Sequence, residues 1–321
     1  MKMNSSKMLF MFMMTISMLM TISSNNILFS WMSMEINLIS FIPMLTESKK
    51  LKDETMKYLI IQSTSSSLML MSILMNSILE TPLEMSIMML MSMLMKMGMM
   101  PTHLWMPSLM QKISWNKCLI MSTIQKIIPT TIMCQTINFE MMLIPMIISL
   151  ILSPISGMKQ LSTKKMMAYS SISNSPWMIS SMLMSKQQFM YFMLIYSTIN
   201  WMLMSTFNKL NMMYMNQLKK MNKLQKINLI SKILSISGMP PMLGFFPKWM
   251  IIQTMIIKSM IVSISMILSS MMSMFMYMKM TSTTILNMST KKKNLISMKS
   301  NIMFSIINMM GIPLSMILKM Y

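Results

Sequence analysis

Charge is scarce in this sequence, and acidic charge most of all. Charged residues make up 11% of the 321 residues, with 7 Asp and Glu in total, 28 Lys and no Arg, whereas hydrophobic residues make up 54%. Apolar runs of about 20 residues recur from end to end, and that length spans a bilayer as a helix. A soluble chain of this size cannot enclose so many such runs in one core. The composition therefore predicts an all-α polytopic membrane protein.

The rare residue types exclude several kinds of site. His103 is the only histidine, which leaves no plausible Ser/His/Asp set. The two cysteines, Cys118 and Cys134, have neither C-x-x-C spacing nor partner histidines, so neither a disulfide nor a metal, iron–sulfur or haem site is predicted. No G-x-G-x-x-G opens a βαβ unit, so no nucleotide site is supported. We expect no cofactor and no metal to be bound by this chain.

Methionine replaces the missing small apolar residues. There are 64 Met but only one Ala and one Val, a pattern that suggests an AT-rich genome in which an extra codon encodes Met. Met fills apolar packing much as Leu does. Methionine-based metal transport is the alternative, but the methionines are spread along the whole chain rather than clustered. The net charge of +21 does not predict a nucleic-acid partner, because the lysines lie in short loops between apolar runs.

The apolar runs predict about eleven transmembrane helices in a single membrane domain, 1–321. The predicted spans are 5–22, 27–45, 58–79, 85–105, 118–137, 141–157, 166–185, 189–207, 227–256, 259–280 and 301–319. The longest polar stretches are 46–57, 208–226 and 281–300. The stretch 208–226 mixes lysines with apolar residues, and either an amphipathic surface helix or a solvated loop fits it.

The loop charges support this count. Loops after the even-numbered spans are basic; they contain Lys49, Lys50, Lys52, Lys57, Lys112, Lys117, Lys159, Lys164, Lys165, Lys209, Lys219, Lys220, Lys223, Lys226, Lys291, Lys292, Lys293 and Lys299. The other loops contain Lys186, Lys258, Glu80, Glu84 and Glu140. The positive-inside rule gives such an asymmetry only when the spans are counted correctly. It places the basic loops and the C-terminus on the matrix or cytoplasmic side.

Four ionisable residues fall well inside the predicted spans: Glu35, Lys96, Lys126 and Lys248. A charge at the bilayer centre costs roughly 2.5–3.5 kcal/mol on insertion scales, so such residues usually have a function. Burial favours a neutral lysine and a nearby carboxylate favours a charged one, so a lysine between these effects can load and release a proton. The alternative is a set of buried ion pairs that only fix helix contacts, although one acid cannot pair with three lysines.

Two of these lysines adjoin predicted helix breaks. A helix broken at membrane depth needs protein or a wet cavity to satisfy its freed backbone groups. We therefore expect hydrated cavities at both breaks, against the alternative of packing kinks. His103 follows the first break and either belongs to a proton relay or caps the helix. The break residues are Gly98 and Pro101 beside Lys96, and Gly238, Pro240, Pro241, Gly244 and Pro247 beside Lys248.

The two breaks lie five predicted spans apart. Because five is odd, a five-span repeat enters the membrane the opposite way round the second time. Residues 1–137 and 141–280 are thus predicted to be two five-helix inverted repeats with discontinuous helices, followed by a C-terminal helix, 301–319. Ion transporters use this architecture.

Five segments together resemble one family. They are WMSMEINLISFIP (31–43), MKMGMMPTHLWMP (95–107), STIQKIIPT (122–130), GMKQLSTKKMMAYSSI (157–172) and SGMPPMLGFFPKW (237–249). In order and spacing they resemble animal mitochondrial NADH dehydrogenase subunit 2, an antiporter-like subunit of respiratory complex I, and the composition suggests an arthropod or similar invertebrate. The resemblance covers nearly the whole chain, and the last segment is the most specific.

This resemblance implies proton translocation across the mitochondrial inner membrane, with the basic loops on the matrix side. It implies that Glu35 tunes Lys96, that Lys126 relays protons across the middle, and that Lys248 faces a neighbouring antiporter-like subunit. It also implies that NADH, FMN, iron–sulfur clusters and ubiquinone are bound by the rest of the complex, with this chain acting as a subunit of an H+-translocating NADH:ubiquinone reductase. Other membrane-arm subunits and phospholipids such as cardiolipin are the implied partners.

Some positions depart from the family pattern. The family commonly has histidine and glycine where Asn174 and Pro176 stand, which casts doubt on a protonatable group in that helix. Ser237 replaces the first glycine of a pair that the family has before the prolines, so we expect the second break to be shaped differently in this chain. Two other functions stay open on the sequence: a stand-alone cation/proton antiporter, and a structural membrane-arm subunit that does not pump.

Overall fold

The structure, a computed structural model, describes residues 5–46, 52–79, 82–215, 217 and 223–285. Over these ranges the only β structure is an isolated bridge between Ser162 and Tyr214, so the prediction of an all-α protein is confirmed. The helices are α1 Ser5–Ser23, α2 Ile27–Leu45, α3 Lys52–Leu79, α4 Pro82–Met97, α5 Trp105–Lys112, α6 Trp115–Ser122, α7 Ile124–Thr136, α8 Phe139–Met158, α9 Thr163–Met184, α10 Lys186–Lys209, α11 Lys223–Ser237, α12 Phe245–Lys258 and α13 Met260–Ile285.

Three of the predicted spans are not continuous helices: one ends early and two are each divided into two helices. The span 85–105 ends early at Met97, the span 118–137 is divided at Thr123, and the span 227–256 is interrupted between Ser237 and Phe245. The predicted span 301–319 lies outside the described residues, so the total of about eleven stays a prediction. Five of the described helices are long and apolar enough to cross a membrane: α1, α2, most of α3, α8 and most of α13.

The many serines do not prevent helix formation in an apolar setting, because their hydroxyls bond to the helix itself. Ser17 donates to the carbonyl of Met14 (2.8 Å), and Ser92 donates to that of Met89 (2.7 Å). A serine that bonds back along its own helix leaves no hydroxyl to be solvated. The remaining positions are largely Met, Leu and Ile, of which Met and Leu favour helix.

The chain divides into two compact units, Met1–Met146 and Ile147–Tyr321, with the boundary inside α8. In the first unit α1 packs on α2, α3 packs on α2 and α4, and α7 packs on both α1 and α4. The indole of Trp31 on α2 donates to the carbonyl of Ser66 on α3 (3.1 Å). These contacts place α2, α4 and α7 around the charged residues of this unit.

In the second unit α9 is enclosed by α10, α12 and α13, and every residue from 166 to 181 is buried. α11 packs on α10 and α13. Part of the stretch 208–226 is described: Met213 accepts from the amide of Thr163 (3.1 Å) after α10 ends. Neither an amphipathic helix nor a fully solvated loop describes this part, which is a short extended segment. Residues 216 and 218–222 lie outside the described ranges.

Candidate functional site

The break after α4 is a helix end terminated by glycine. Gly98 has φ of 64°, in the left-handed region that glycine enters without steric penalty. Its amide donates to the carbonyl of Met95 (3.3 Å), and the amide of Met99 donates to that of Leu94 (3.1 Å). Together these bonds form a Schellman motif, which satisfies carbonyls that a helix end leaves free. The motif ends α4 directly after Lys96, which lies in the last turn of the helix.

Lys96 is buried in the last turn of α4, with 8% of its surface exposed. Its ammonium lies 3.3 Å from the thioether sulfur of Met34, a weak acceptor. The carboxylate of Glu35 is near enough for its charge to act on Lys96. One Glu35 oxygen is buried and has no hydrogen-bond partner among the described residues. The structure thus brings Glu35 and Lys96 into one charged neighbourhood on α2 and α4.

Lys126 lies in the first turn of α7, directly after a helix break that the sequence did not predict. Thr123 leaves regular helical geometry (φ −118°, ψ −76°), and its hydroxyl donates to the carbonyl of Leu119 (2.8 Å). Pro129 has no amide to offer the carbonyl of Gln125, which weakens the same stretch of helix. Lys126 is 2% exposed.

Lys96 and Lys126 line the same cavity of about 30 Å³ in the first unit. A cavity needs roughly 10–15 Å³ to hold one water, so this one has room for about two. Its polar lining includes residues that the sequence analysis did not single out: Asn37, Tyr58, Gln62 and Gln125.

The amides of Asn37 and Gln125 form a reciprocal pair between α2 and α7. The Asn37 nitrogen donates to the Gln125 oxygen (2.9 Å), and the Gln125 nitrogen donates back to the Asn37 oxygen (3.2 Å). The pair fixes the start of α7, where Lys126 lies, against the helix that carries Glu35. The signal for it in the sequence was weak, because 88 residues separate the two partners.

His103 lies in the turn between α4 and α5. Its ring Nδ1 is 3.2 Å from the carbonyl of Pro101, and its own carbonyl accepts from the amide of Met106 at the start of α5. The side chain is half-buried and is not among the residues that line the cavity with Lys96. The N-cap of α5 is Leu104 and has no side-chain hydrogen bond, so both interpretations of His103 stay predictions.

The break after α11 repeats the first one in detail. Gly238 has φ of 82°, its amide donates to Ser235 (3.2 Å), and the amide of Met239 donates to Leu234 (3.4 Å). Serine at position 237, where the family has glycine, therefore does not prevent the Schellman motif. Gly244 packs so closely that an added Cβ would overlap the carbonyl of Ser235.

The prolines of this second break lie where no helical amide is lost. Pro240 and Pro241 fall in the turn between α11 and α12. Pro247 falls in the first turn of α12, where the amides have no carbonyl partner within the helix. The same turn of α12 presents Lys248.

The ammonium of Lys248 binds the free backbone carbonyls at the end of α11. It donates to the carbonyls of Ser237 (3.2 Å) and Ile236 (3.4 Å), and it lies 5.6 Å from the ring centroid of Trp177 on α9. Carbonyls and an aromatic face both favour a cation. Lys248 is 8% exposed and lines a cavity of about 20 Å³ with Asn174 and Tyr196.

Lys232 on α11 is a further buried lysine of the second unit, with 4% of its surface exposed. It lies near Lys209, whose charge acts on it. Both belong to the end of the second unit where the basic loops begin.

Among the described residues, no group of three or more His, Cys, Asp and Glu side chains is placed to hold a metal ion. The acidic side chains are dispersed, and the lysines adjoin carbonyls, amides and a thioether. These groups can accept hydrogen bonds from the lysine ammonium groups.

The fold and its buried lysines define a class: an all-helical membrane protein with discontinuous helices, of the antiporter-like kind. Residues 24–275 match the family described as NADH:quinone oxidoreductase/Mrp antiporter, TM. The chain belongs to this family.

The similar proteins agree with this assignment. The chain is 35% identical over 310 residues to NADH-ubiquinone oxidoreductase chain 2 of Locusta migratoria, which covers 93% of this chain and 91% of that protein. It is 32% identical to the protein of the same name from Anopheles gambiae, over 77% of this chain and 76% of that protein. These insect relatives agree with the expectation of an arthropod or similar invertebrate.

Two solved structures share the fold. A chain of respiratory complex I from Thermus thermophilus matches with a TM-score of 0.81 at 16% identity, over 98% of this chain and 78% of that one. A chain of the Mrp complex from Dietzia sp. matches with a TM-score of 0.70 at 11% identity, over 84% of this chain and 59% of that one.

Proposed function

We propose that this chain is the proton-translocating subunit 2 of the membrane arm of respiratory complex I in the mitochondrial inner membrane. The names of its relatives support this assignment, as does the antiporter-like fold. As a subunit of NADH:ubiquinone oxidoreductase it works beside other membrane-arm subunits, among them a neighbouring antiporter-like subunit, and beside phospholipids such as cardiolipin. NADH, FMN, the iron–sulfur clusters and ubiquinone are bound elsewhere in the complex.

One observation carries the proposal: two lysines from different helices line one small polar cavity in the first unit, with a carboxylate beside it. In this scheme Lys96 holds a proton while Glu35 is charged and loses it to water in the cavity when that charge is offset. Lys126 accepts a proton from the same water. Lys248 acts in the second unit, where its proton is held by two backbone carbonyls.

We further propose that residues 1–137 and 141–280 are inverted repeats. The support is the identical Schellman motif at Gly98 and Gly238, five predicted spans apart. The basic side of both is the matrix side. In the first unit Lys57 and Lys112 both bind Glu54, at 3.1 Å and 2.5 Å, so two predicted basic loops meet at one end.

Replacement of Lys96 or Lys126 by Met tests the relay. Methionine keeps a flexible apolar stem and removes the proton-binding group. We expect each variant complex, reconstituted in proteoliposomes, to assemble and to pump at least about tenfold more slowly, since a single acid–base group typically contributes a hundredfold or more. Lys186→Met, at an exposed lysine, is the matched control. Normal pumping by Lys96→Met and Lys126→Met would instead favour a structural subunit.

A stand-alone cation/proton antiporter is the second candidate, favoured by the similarity to the Mrp complex chain. Purification separates the two. Co-migration of this chain with iron–sulfur subunits supports the complex I assignment, whereas a homo-oligomer free of them supports the antiporter.

A further inference from the structure

The hydroxyl of Tyr277 is a buried polar group that the proposed relay does not use. Tyr277 lies on α13 and is 1% exposed, and its oxygen has no hydrogen-bond partner among the described residues. It lies close to the hydroxyl of Ser170 on α9, which already donates to the carbonyl of Met167 (2.8 Å). Because buried hydroxyls are nearly always paired, an ordered water is the expected partner.

A second unpaired group lies on α10. The side-chain nitrogen of Asn200, a residue only 2% exposed, has no partner in the described part of the chain. The hydroxyl of Tyr196, one helical turn earlier, lies within hydrogen-bonding reach of the Asn200 and Asn174 side chains. Tyr196 is also near enough to Tyr277 to act on it electrostatically. The two unpaired atoms therefore belong to one polar cluster between α9, α10 and α13.

This cluster continues to Lys248. Asn174 and Tyr196 line the cavity of about 20 Å³ that also borders Lys248. That volume is enough for one water, since roughly 10–15 Å³ suffices. Asn174 and Tyr196 thus bring a side-chain amide and a hydroxyl to the cavity beside Lys248.

At its other end the cluster points to the basic end of the second unit. Ser170 lies two turns from the start of α9, which follows the basic loop containing Lys159. Two residues after Tyr277, the ammonium of Lys279 donates to the carbonyl of Met158 at the end of α8 (2.7 Å). Ser170 and Tyr277 thus lie between the cavity beside Lys248 and the basic end of this unit.

We propose that Tyr196, Asn200, Ser170 and Tyr277 hold a chain of ordered waters along which protons reach Lys248 from the basic end. Each water accepts one proton and passes another to the next, and the neutral amine of Lys248 takes the last one. One proton is moved, and the tyrosines only position the waters and keep their own O–H bonds. The proposal rests on the proposed function, because it assumes that Lys248 exchanges protons.

The test uses the intact complex in proteoliposomes with Tyr277→Phe and, separately, Tyr196→Phe. Each change removes one hydroxyl and keeps the ring. We expect each variant to pump roughly fivefold more slowly per assembled complex, the factor that the loss of one ordinary hydrogen bond gives. Tyr191→Phe, at a half-exposed tyrosine on the same helix as Tyr196, is the matched control and should pump normally.

A high-resolution density map of the unsubstituted complex supplies a readout that does not depend on pumping. It should show ordered water within hydrogen-bond distance of the Tyr277 hydroxyl and of the Asn200 side-chain nitrogen. Dry density at these atoms overturns the proposal, even if the Phe variants fail to assemble. The proposal is also overturned if either Phe variant pumps as fast as the unsubstituted complex while Lys248→Met pumps more slowly. Normal pumping by Lys248→Met would instead count against the proposed function at that residue.

Discussion

At the scale of single residues, Lys96 and Lys248 differ in what surrounds their ammonium groups. Lys96 lies beside a thioether and near the charge of a carboxylate. Lys248 instead donates to two backbone carbonyls at the end of α11, where no amide of the helix follows to bind them. A carbonyl accepts from the charged lysine but cannot take the proton away. In the proposed scheme, release from Lys248 therefore needs water, and the cavity beside it has room for one water molecule.

Lys248→Arg separates proton exchange from fixed charge. Arginine keeps a cation that can donate to the carbonyls of Ile236 and Ser237, but it does not lose its proton in proteins. We expect the variant complex to assemble and to pump as poorly as Lys248→Met, at least about tenfold below the unsubstituted complex. Proton uptake measured beside Lys186→Arg as control checks this. Retained pumping would mean that a permanent positive charge suffices at this position.

At the scale of helices, the two breaks contain glycines that exclude a side chain for different reasons. Gly98 needs its left-handed φ, and an added Cβ would come within 3.2 Å of the Trp105 ring. Gly244 has an ordinary φ of −69°, but its added Cβ would overlap the backbone of Ser235. A side chain can move away from a new methyl group, whereas a helix backbone cannot do so without shifting α11 relative to α12.

Alanine substitutions should therefore follow a definite order. We expect Gly244→Ala to reduce the thermal stability and assembly of the subunit most. Gly98→Ala should lower the free energy of unfolding by less, roughly the 1–2 kcal/mol that a left-handed conformation costs a residue with a Cβ. Gly157→Ala, inside α8, should cost least, because its Cβ would meet the flexible side chain of Met276. Subunit retention on heating membranes measures the order, and an equal effect of all three would show that backbone overlap is not what limits Gly244.

At the scale of the whole molecule, the sequence predicted the helices well, and it predicted two of the three broken ones. Run length locates helices because a spanning helix must bond its own backbone, and glycine beside proline marks where it stops. The break at Thr123 was not predicted, because no glycine marks it in the sequence. The sequence also did not predict that Asn37 and Tyr196 belong to the polar sites. A single polar residue in an apolar run does not indicate its partner, which is determined by how the helices pack. The roles assigned to the buried charges stay predictions.

Orientation is the prediction that concerns the whole chain. With the basic loops in the matrix, a single cysteine in place of exposed Lys112 should react with a membrane-impermeant thiol reagent only from the matrix face. Cysteine in place of exposed Lys186 should react only from the opposite face. Mitoplasts and inverted membrane particles give the two accessibilities, with the unsubstituted chain reporting the background from Cys118 and Cys134. Labelling of both positions from one face would overturn the predicted span count.

The enclosure of α9 has a consequence for how the protein is made. Among the long helices it is the most deeply buried, yet its serines keep it out of the set that is apolar enough to cross a membrane by composition. The helices that surround it, α10, α12 and α13, are all synthesised later. Until they are made, α9 lacks the helices that enclose it in the folded unit. The hydroxyls of these serines are bonded to their own helix and need no later partner. The side chain of Asn174 instead pairs with Tyr196, so its hydrogen bond forms only after α10 has been made.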